Sequence, residues 1–230
     1  MLRLLNASIT RPHEVVVIYD DADDPSAEVV RDMMKEAPNV RPVLNSLGRG
    51  VAYAIREGVR SARGERILIF AADEVGPVLA IEDMLDLMDE GVEFVSCTRY
   101  AHGGRRLGGS LIGHLLSRSA NRLLRILSGV ALTDSTTGIK MFLRRDFERL
   151  TQDTKSVGWA IAFEMAVRAQ VLALKLGEVP IISIDRLFGG KSTFRLVPWI
   201  VGYMDYFVLA IRKLPRRHRP AVALRIPTGM

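Results

Sequence analysis

Cysteine is scarce in this sequence of 230 residues, which contains only Cys97. A single cysteine excludes a disulfide framework and a zinc centre built from thiolates. The four histidines are scattered along the chain and lack the spacing of metal ligands. The hydrophobic share of 48% and the charged share of 25% exclude a disordered or low-complexity chain. We therefore expect a globular protein with one sizeable core.

A long uninterrupted apolar run is also absent. The apolar run at the N-terminus is too short for a secretory signal. The longest apolar stretch, residues 196–211, is interrupted by Asp205, whereas a membrane span needs about 20 predominantly apolar residues. We expect this stretch to form an amphipathic helix that docks on the core or lies at a membrane interface. Its interfacial aromatic residues would be Trp199, Tyr203, Tyr206 and Phe207.

Acidic residues are missing from residues 212–230, which contain six Arg or Lys residues. Since the whole chain carries a formal charge of +6, the remaining part is electrically neutral. The basic tail either binds an anionic surface such as a membrane or is a solvated tail that aids solubility. The neutral remainder and the lack of a recognition motif argue against nucleic acid as a partner.

Apolar, β-rich runs alternate with helical patterns along the chain. This alternation predicts an α/β fold with a largely parallel sheet that helices cover on both faces. The longest helices before residue 196 are predicted at 110–128 and 159–176. The predicted strands are residues 14–19, 40–44, 66–70, 93–97, 140–143 and 179–184.

Acidic pairs follow two of these strands, at the end where ligands of open α/β sheets bind. Asp20 and Asp21 follow the first strand, and Asp73 and Glu74 follow the third. Carboxylates at strand ends repel one another, so a divalent metal, ribose hydroxyls or a basic partner would balance their charge. One such pair alone fits solvated turn chemistry. Two pairs together favour a ligand site.

Gly48, Arg49 and Gly50 lie between a predicted strand and a helix, as in a dinucleotide-binding loop. The third glycine of that motif would stand at position 53, which is Tyr53. The alternative of an NAD-dependent enzyme, which predicts dinucleotide binding without a metal, therefore depends on an incomplete motif.

Seven segments, none of them specific alone, follow one another in a characteristic order. The second reads Asn-x-x-Gly-Arg-Gly-x-Ala, and the sixth begins Asp-Ser-Thr-Thr-Gly. The segments are residues 17–21, 45–52, 62–77, 98–104, 117–121, 134–142 and 178–192. Together they resemble the family 2 glycosyltransferases of GT-A fold and, within them, the dolichyl-phosphate mannosyltransferase-like branch.

The resemblance implies a nucleotide-diphosphate sugar as donor, bound through Asp20 and Asp21. It also implies a divalent cation, Mg²⁺ or Mn²⁺, with Asp73 as its carboxylate ligand and Glu74 as a second ligand. Such a cation would bridge the diphosphate and neutralise the charge that builds on the leaving group. Ser192 lies in the last of the seven segments and is assigned to the binding residues.

The resemblance further implies an acceptor phosphate that is handled by Arg99, Ser117 and Arg186. Arginine suits this role because its planar fork pairs with phosphate oxygens. A phosphate acceptor needs no general base, whereas a saccharide hydroxyl needs one, and Asp134 and Glu164 are the candidates. The predicted catalytic residues are accordingly Asp73, Arg99, Asp134 and Arg186.

The sequence departs from the family pattern in several places. Ala71 replaces the leading aspartate of the Asp-x-Asp motif, Val75 replaces a metal-side residue, and Gly113 replaces an arginine. The family also begins with an earlier strand, so we expect residues 1–195 to form a GT-A domain that is truncated at its N-terminus. Candidates to replace the missing arginine are Arg105, Arg106 and His114.

We expect a bacterial-type, inverting glycosyltransferase that acts on a polyprenyl phosphate or a lipid-linked saccharide. The expected location is the cytoplasmic face of the cell membrane, reached through residues 196–230 as an amphipathic helix and basic tail. The departures at Ala71 and Val75 leave one alternative open, a degenerate GT-A protein that binds a nucleotide or a partner without turnover.

Overall fold

The computed structural model describes residues 1–108, 111–152, 158–184, 196–214 and 219–227, and the side chains of residues 112 and 196–202 lie outside that description. Within these ranges strands and helices alternate. The strands are β1 (Val15–Tyr19), β2 (Val40–Leu44), β3 (Arg66–Ile69), β4 (Phe94–Thr98), β5 (Arg105–Leu107), β6 (Lys140–Leu143), β7 (Leu176–Pro180), β8 (Ile182–Ile184) and β9 (Val222–Leu224). The helices are α1 (Leu2–Ser8), α2 (Pro25–Met33), α3 (Val51–Ser61), α4 (Ile81–Asp89), α5 (Leu111–Leu127), α6 (Phe147–Leu150), α7 (Ala160–Val171) and α8 (Leu196–Lys213).

Five strands form the central sheet, in the order β3-β6-β4-β7-β9. β4, β7 and β9 are parallel, whereas β6 runs antiparallel to both of its neighbours, β3 and β4. The sequence predicted a largely parallel sheet, and β6 is the exception because the chain enters it from the edge at which β4 ends. As a result, the ends of β3, β4 and β7 and the start of β6 lie at one edge of the sheet.

Helices cover both faces of the central sheet, as the sequence predicted. Along β4, Phe94 belongs to a buried apolar cluster on one face, while Val95 and Cys97 belong to a second cluster on the other face. This division follows from the pleat, since successive side chains of a strand point to opposite faces. The first cluster includes residues of α5, α7 and α8, and the second includes residues of α1 and α4.

β1 and β2 form a separate parallel pair. All five residues of β1 are half-buried, whereas all five residues of β4 are buried. The predicted first strand therefore exists but is less buried than its apolar sequence suggested. Among the described residues it pairs with one strand only, β2. Val15 packs against the second apolar cluster, as do Leu68 and Phe70 of the chain around β3.

The helix α8 packs on the body of the domain. Tyr206 and Ala210 are buried in the first apolar cluster, and the rings of Tyr203 and Phe163 lie 5.1 Å apart. Of the aromatic residues that the sequence assigned to a membrane interface, Tyr203, Tyr206 and Phe207 thus face the core, where they cover the largely apolar α7. The side chain of Trp199 lies outside the described residues. None of the helices in the described ranges is both long and apolar enough to cross a bilayer.

The region after α8 also belongs to the domain. β9 pairs with β7 and so protects that edge of the central sheet. Arg225, which the sequence placed in a basic tail, pairs with three carboxylates at α4, namely Asp83, Asp86 and Glu90. Both contacts are made by residues that lie beyond the predicted boundary at residue 195.

Candidate functional site

Three polar segments gather at the edge of the central sheet where β3, β4 and β7 end. Asp73 and Glu74 lie in the turn after β3, Arg99 follows β4, and residues 133–137 form the loop that leads into β6. Ligands of open α/β sheets bind beyond the carboxyl ends of the parallel strands. Asp134 is part of this loop. The fold thus brings four of the predicted site residues to the expected edge of the sheet, namely Asp73, Glu74, Arg99 and Asp134.

Asp134 is the centre of a buried polar network. Its carboxylate is fully buried and accepts hydrogen bonds from Arg99 Nε at 2.7 Å and Arg99 Nη2 at 3.1 Å. Thr136 Oγ1 donates to the same carboxylate at 2.9 Å. Burial alone would raise the pKa of Asp134, but the charge and hydrogen bonds of Arg99 outweigh it and hold the pKa below its usual value. Asp134 is therefore an ionised carboxylate that is already paired.

The loop of residues 133–137 has an acceptor for every backbone N–H group. The first two N–H groups donate to Glu178 Oε1 at 2.6 and 3.3 Å, and the third donates to Asn121 Oδ1 at 2.8 Å. The last two donate to Asp134 Oδ1 at 3.1 and 3.2 Å. A buried loop must satisfy its backbone polar groups, and here three side chains do so, one from α5, one from β7 and one from the loop itself. The loop therefore needs no ligand to satisfy its N–H groups.

Hydroxyl groups connect this network to the surface. Tyr100 OH donates to Ser117 Oγ at 2.9 Å, and Ser117 Oγ lies 2.9 Å from Thr136 Oγ1. The guanidinium of Arg99 lies 5.1 Å from the centre of the Tyr100 ring, a favourable cation–π distance. Tyr100, Ser117 and Thr136 are half-buried, whereas the Arg99 side chain is only 11% exposed. A ligand from solvent would meet the hydroxyls first, with the cation behind them.

Lys140 supports the loop from within the sheet. Its Nζ donates to Ser96 Oγ at 2.6 Å and to the Asp134 carbonyl oxygen at 3.4 Å, and Ser96 Oγ donates to that carbonyl oxygen at 3.1 Å. Burial lowers the pKa of Lys140 to about 8, although the charge of Asp134 acts in the opposite direction. The sequence showed this lysine only as part of a motif, with no role assigned to it.

Asp20 and Asp21 lie at the end of β1 and differ in their contacts. Asp20 accepts hydrogen bonds from Asn45 Nδ2 at 2.7 Å and from the N–H group of Gly50 at 2.8 Å. It therefore ties the ends of β1 and β2 to the start of α3, where Gly50 has a φ of +116° that favours glycine. Asp21 instead forms an exposed ion pair with Arg49 at 2.6 Å.

The predicted metal residues lie in the turn after β3. Asp73 is exposed, and Glu74 beside it is half-buried. Burial acts to lower the pKa of Arg99, but the charges of Asp134 and Glu74 raise it, so Glu74 lies within electrostatic reach of the buried pair. Among the residues that the structure describes, no three His, Cys, Asp or Glu side chains form a metal-binding group. The turn nevertheless fits Mg²⁺, which binds through one or two carboxylates together with substrate phosphates.

Another predicted residue, Glu164, belongs to a different ion pair. Glu164 is buried in α7, where its Oε1 accepts a hydrogen bond from Arg168 Nε at 2.8 Å. Like Asp134, it is a carboxylate that already forms an ion pair with an arginine. Arg186 and Ser192 lie outside the described residues.

Sequence reasoning missed the partners that hold the predicted residues in place. Asn121, Thr136 and Glu178 form the hydrogen bonds around Asp134 and its loop, and Asn45 holds Asp20. All of these partners lie within the seven segments of the resemblance, which was the available signal. Spacing along the chain does not show which side chains meet in the fold.

Comparison with known sequences identifies the family. The sequence model of glycosyl transferase family 2 matches residues 1–151, and the chain belongs to this family. It is 28% identical over 168 residues to a dolichol-phosphate mannosyltransferase of Mycosarcoma maydis, over 73% of this chain and 56% of that protein. It is 29% identical over 226 residues to glycosyltransferase AglD of Haloferax volcanii, over 94% of this chain and 34% of that protein. The chain thus spans about half or less of the length of these relatives.

Solved structures with the same fold include two sugar transferases. Mannosyltransferase PcManGT of Pyrobaculum calidifontis, in complex with GDP-Man and Mn²⁺, has a TM-score of 0.57 at 19% identity over 94% of this chain and 63% of that chain. Glucosyl-3-phosphoglycerate synthase of Mycobacterium tuberculosis, in complex with Mg²⁺ and UDP, has a TM-score of 0.58 at 16% identity over 98% of this chain and 93% of that chain. These likenesses confirm the predicted α/β fold of GT-A type.

Proposed function

We propose that the protein transfers a sugar from a nucleotide-diphosphate sugar to the phosphate of a polyprenyl lipid. The observation that carries this proposal is that both candidate bases are already paired. Asp134 is held by Arg99, and Glu164 is held by Arg168. A saccharide hydroxyl would need a base to remove its proton, whereas a phosphate oxygen is already an anion. The pairing therefore favours a phosphate over a lipid-linked saccharide as the acceptor.

The acceptor side of the site is the surface formed by Ser117 and Tyr100 over Arg99. Two hydroxyls and a cation suit a phosphate, which accepts hydrogen bonds and carries negative charge. Asp134 acts as a positioning residue, because it fixes the orientation of the guanidinium through two hydrogen bonds. Donors that are fixed before binding need no reorganisation during the reaction. The family resemblance adds Arg186 as a second cation for the same phosphate.

The donor side is formed by the acidic turns. Asp20 and Asp21 bind the nucleoside part of the donor, and Ser192 is assigned to the same side by resemblance. The GDP-Man complex of PcManGT supports a nucleotide sugar as the donor class. A divalent cation held by Asp73, with Glu74 adding negative charge nearby, would neutralise the diphosphate as it leaves.

The chemistry of this transfer is a single displacement. An oxygen of the acceptor phosphate forms a bond to the anomeric carbon while the bond from that carbon to the donor diphosphate breaks. The electron pair leaves with the nucleoside diphosphate, and no proton has to be removed from the acceptor. Attack opposite the leaving group inverts the anomeric centre. We place the reaction at the cytoplasmic membrane face, where a soluble donor and a lipid acceptor meet.

The test is a transfer assay with acceptors that differ in one group. Labelled UDP-glucose and GDP-mannose are offered with Mn²⁺ and a polyprenyl phosphate, a polyprenol of equal length or a lipid-linked saccharide. We expect labelled lipid from the phosphate alone. The variant Ser117→Ala should lower kcat/KM for that acceptor by about tenfold, the effect of losing a hydrogen bond to a charged group. Ser119→Ala, an exposed serine on the same helix, is the matched control.

Two results would contradict the proposal. Transfer to the saccharide with none to the phosphate would return Asp134 or Glu164 to the role of base. Metal-dependent binding of a nucleoside diphosphate without transfer to any acceptor would favour the degenerate binding protein that the substitution at Ala71 suggests.

A further inference from the structure

The outward side of α5 carries an unusual set of exposed apolar side chains. Single exposed leucines are normal on a protein surface, but here five large apolar residues of one 17-residue helix are open to solvent. Leu111 is 87% exposed, and Leu115 is 65% exposed. We call this set the α5 apolar face, and its members are Leu111, Leu115, Leu116, Leu123 and Ile126.

These side chains form one surface and are not scattered around the helix. At 3.6 residues per turn, the members from Leu115 onward lie within an arc of about 100°. The buried residues Asn121, Leu124 and Ser128 lie on the opposite side, which packs on the core. The apolar face therefore points away from the domain, and no described element covers it.

Basic residues border the apolar face. Arg118 and Arg122 are exposed beside it, and the sequence of α5 contains no Asp or Glu. In the part of the chain that the structure describes, neither arginine forms an ion pair with a carboxylate. The carbonyl oxygen of Arg125 accepts a hydrogen bond from the guanidinium of Arg219, which brings a basic residue of the C-terminal region to the same helix.

We propose that the α5 apolar face and its arginines dock the protein on the surface of an anionic lipid bilayer. Apolar side chains that enter the headgroup region beside arginines are the pattern of helices that lie in a membrane interface. A second copy of this chain fits less well, because a symmetric contact through α5 would bring Arg118 and Arg122 toward the same residues of the partner.

The proposal rests on the proposed function and adds the surface that brings enzyme and lipid together. Ser117 lies on the inward side of the same helix that presents Leu115 and Arg118 outward. A docked α5 would hold the acceptor side of the site within one helix diameter of the headgroups, roughly 10 Å. The sequence had assigned membrane contact to aromatic residues of α8, but Tyr206 is buried in the core.

The experiment is co-sedimentation of the full chain with vesicles, in the absence of donor and acceptor. Vesicles of equal parts phosphatidylglycerol and phosphatidylcholine are compared with vesicles of phosphatidylcholine alone. We expect the wild type to prefer the anionic vesicles. Two double variants, Leu115→Ser with Ile126→Ser and Arg118→Gln with Arg122→Gln, should each lower partitioning to these vesicles about tenfold or more. High salt should reproduce the loss of the arginine pair in the wild type.

Matched controls use exposed residues of the same types elsewhere. Val29→Ser with Leu79→Ser removes apolar side chains that are 66% and 76% exposed, and Arg31→Gln with Arg63→Gln removes the same charge. Both controls should bind like the wild type. All variants should keep the melting temperature of the wild type, because every position lies on the surface.

The outcomes separate the docking surface from the transfer reaction. Equal vesicle binding by all variants, or no binding by the wild type, would overturn the docking proposal whatever the transfer assay shows. Another contrary result is a dimer in sedimentation velocity that the double variant Leu115→Ser with Ile126→Ser converts to a monomer. That result would assign the α5 apolar face to a second copy of the chain and would also overturn the docking proposal. Vesicle binding through α5 without any sugar transfer would leave docking standing and contradict the proposed function alone.

Discussion

Two polar regions of this protein are built in opposite ways. The Asp134 loop is largely buried, and side-chain oxygens accept hydrogen bonds from all five of its N–H groups. The acidic turns are open, since Asp73 is exposed and Asp21 shares an exposed ion pair with Arg49. The first region is complete without a ligand, whereas carboxylates in the second remain exposed to solvent.

The difference indicates that the two regions have different roles in the proposed site. Buried ions need partners inside the protein, and the Asp134 network supplies them without a ligand, which would suit the proposed acceptor phosphate. Exposed carboxylates keep their hydration and can exchange water for a cation and a diphosphate. We infer that the acceptor half is preformed and that the donor half takes its final form with its ligand.

Removal of the buried carboxylate should have the largest effect. Asp134→Ala leaves Arg99 buried without its ion-pair partner, and breaking such a pair costs about 3–5 kcal/mol of unfolding free energy. Denaturant titration measures this loss. Asp21→Ala removes an acid from the exposed pair with Arg49 and should cost less than about 1 kcal/mol. Equal losses in the two variants would contradict the contrast between the regions.

Lys140 should make the buried region sensitive to alkaline pH. Its pKa is about 8 in the folded protein against a reference value of 10.5, so between these values the unfolded chain binds more protons than the folded one. Stability relative to Lys140→Met should then rise from pH 8 to pH 10.5, by on the order of 3 kcal/mol. The measurement is unfolding free energy against pH for both proteins. A constant difference would show that the buried amine does not titrate in this range.

Asp73 should matter for turnover and not for folding. Asp73→Asn removes the charge that would hold the cation, and we expect the rate constant of sugar transfer to fall about 100-fold, or about 2.7 kcal/mol of activation free energy. The melting temperature should stay unchanged because Asp73 is exposed. Asp32→Asn on α2 is the control, since it removes an exposed acid that pairs with Lys35 and has no assigned role in the site. Unchanged transfer and metal dependence in Asp73→Asn would exclude Asp73 as the metal ligand.

The sequence predicted which elements form better than how they meet. Apolar runs placed β2 and β6 at their observed bounds, and periodicity placed α5 within a residue. The apolar periodicity of a strand does not show in which direction the strand runs in the sheet, so the antiparallel orientation of β6 was not predicted. The strand predicted at 179–184 is divided at Ile181, because its second half leaves the central sheet to pair with β5.

Sequence reasoning proposed residues for the candidate site but not their contacts. Arg99 and Asp134 were assigned as separate catalytic groups, one for a phosphate and one as a base. They are 35 positions apart in the chain, and their ion pair exists only because β4 and the loop before β6 reach the same edge. We infer that burial decides the role here, since the ion pair with Arg99 lowers the pKa of Asp134 and makes it a weaker base than a carboxylate in water.

Hydrogen–deuterium exchange tests the central claim most directly, because one experiment follows both regions. In the free protein, the N–H groups of residues 133–137 should exchange slowly, and those of residues 20–24 and 71–75 should exchange fast. A nucleoside diphosphate with Mn²⁺ should slow exchange in the acidic turns and leave the loop unchanged. Fast exchange in residues 133–137 of the free protein, or protection by the nucleotide in that loop alone, would contradict a preformed acceptor half.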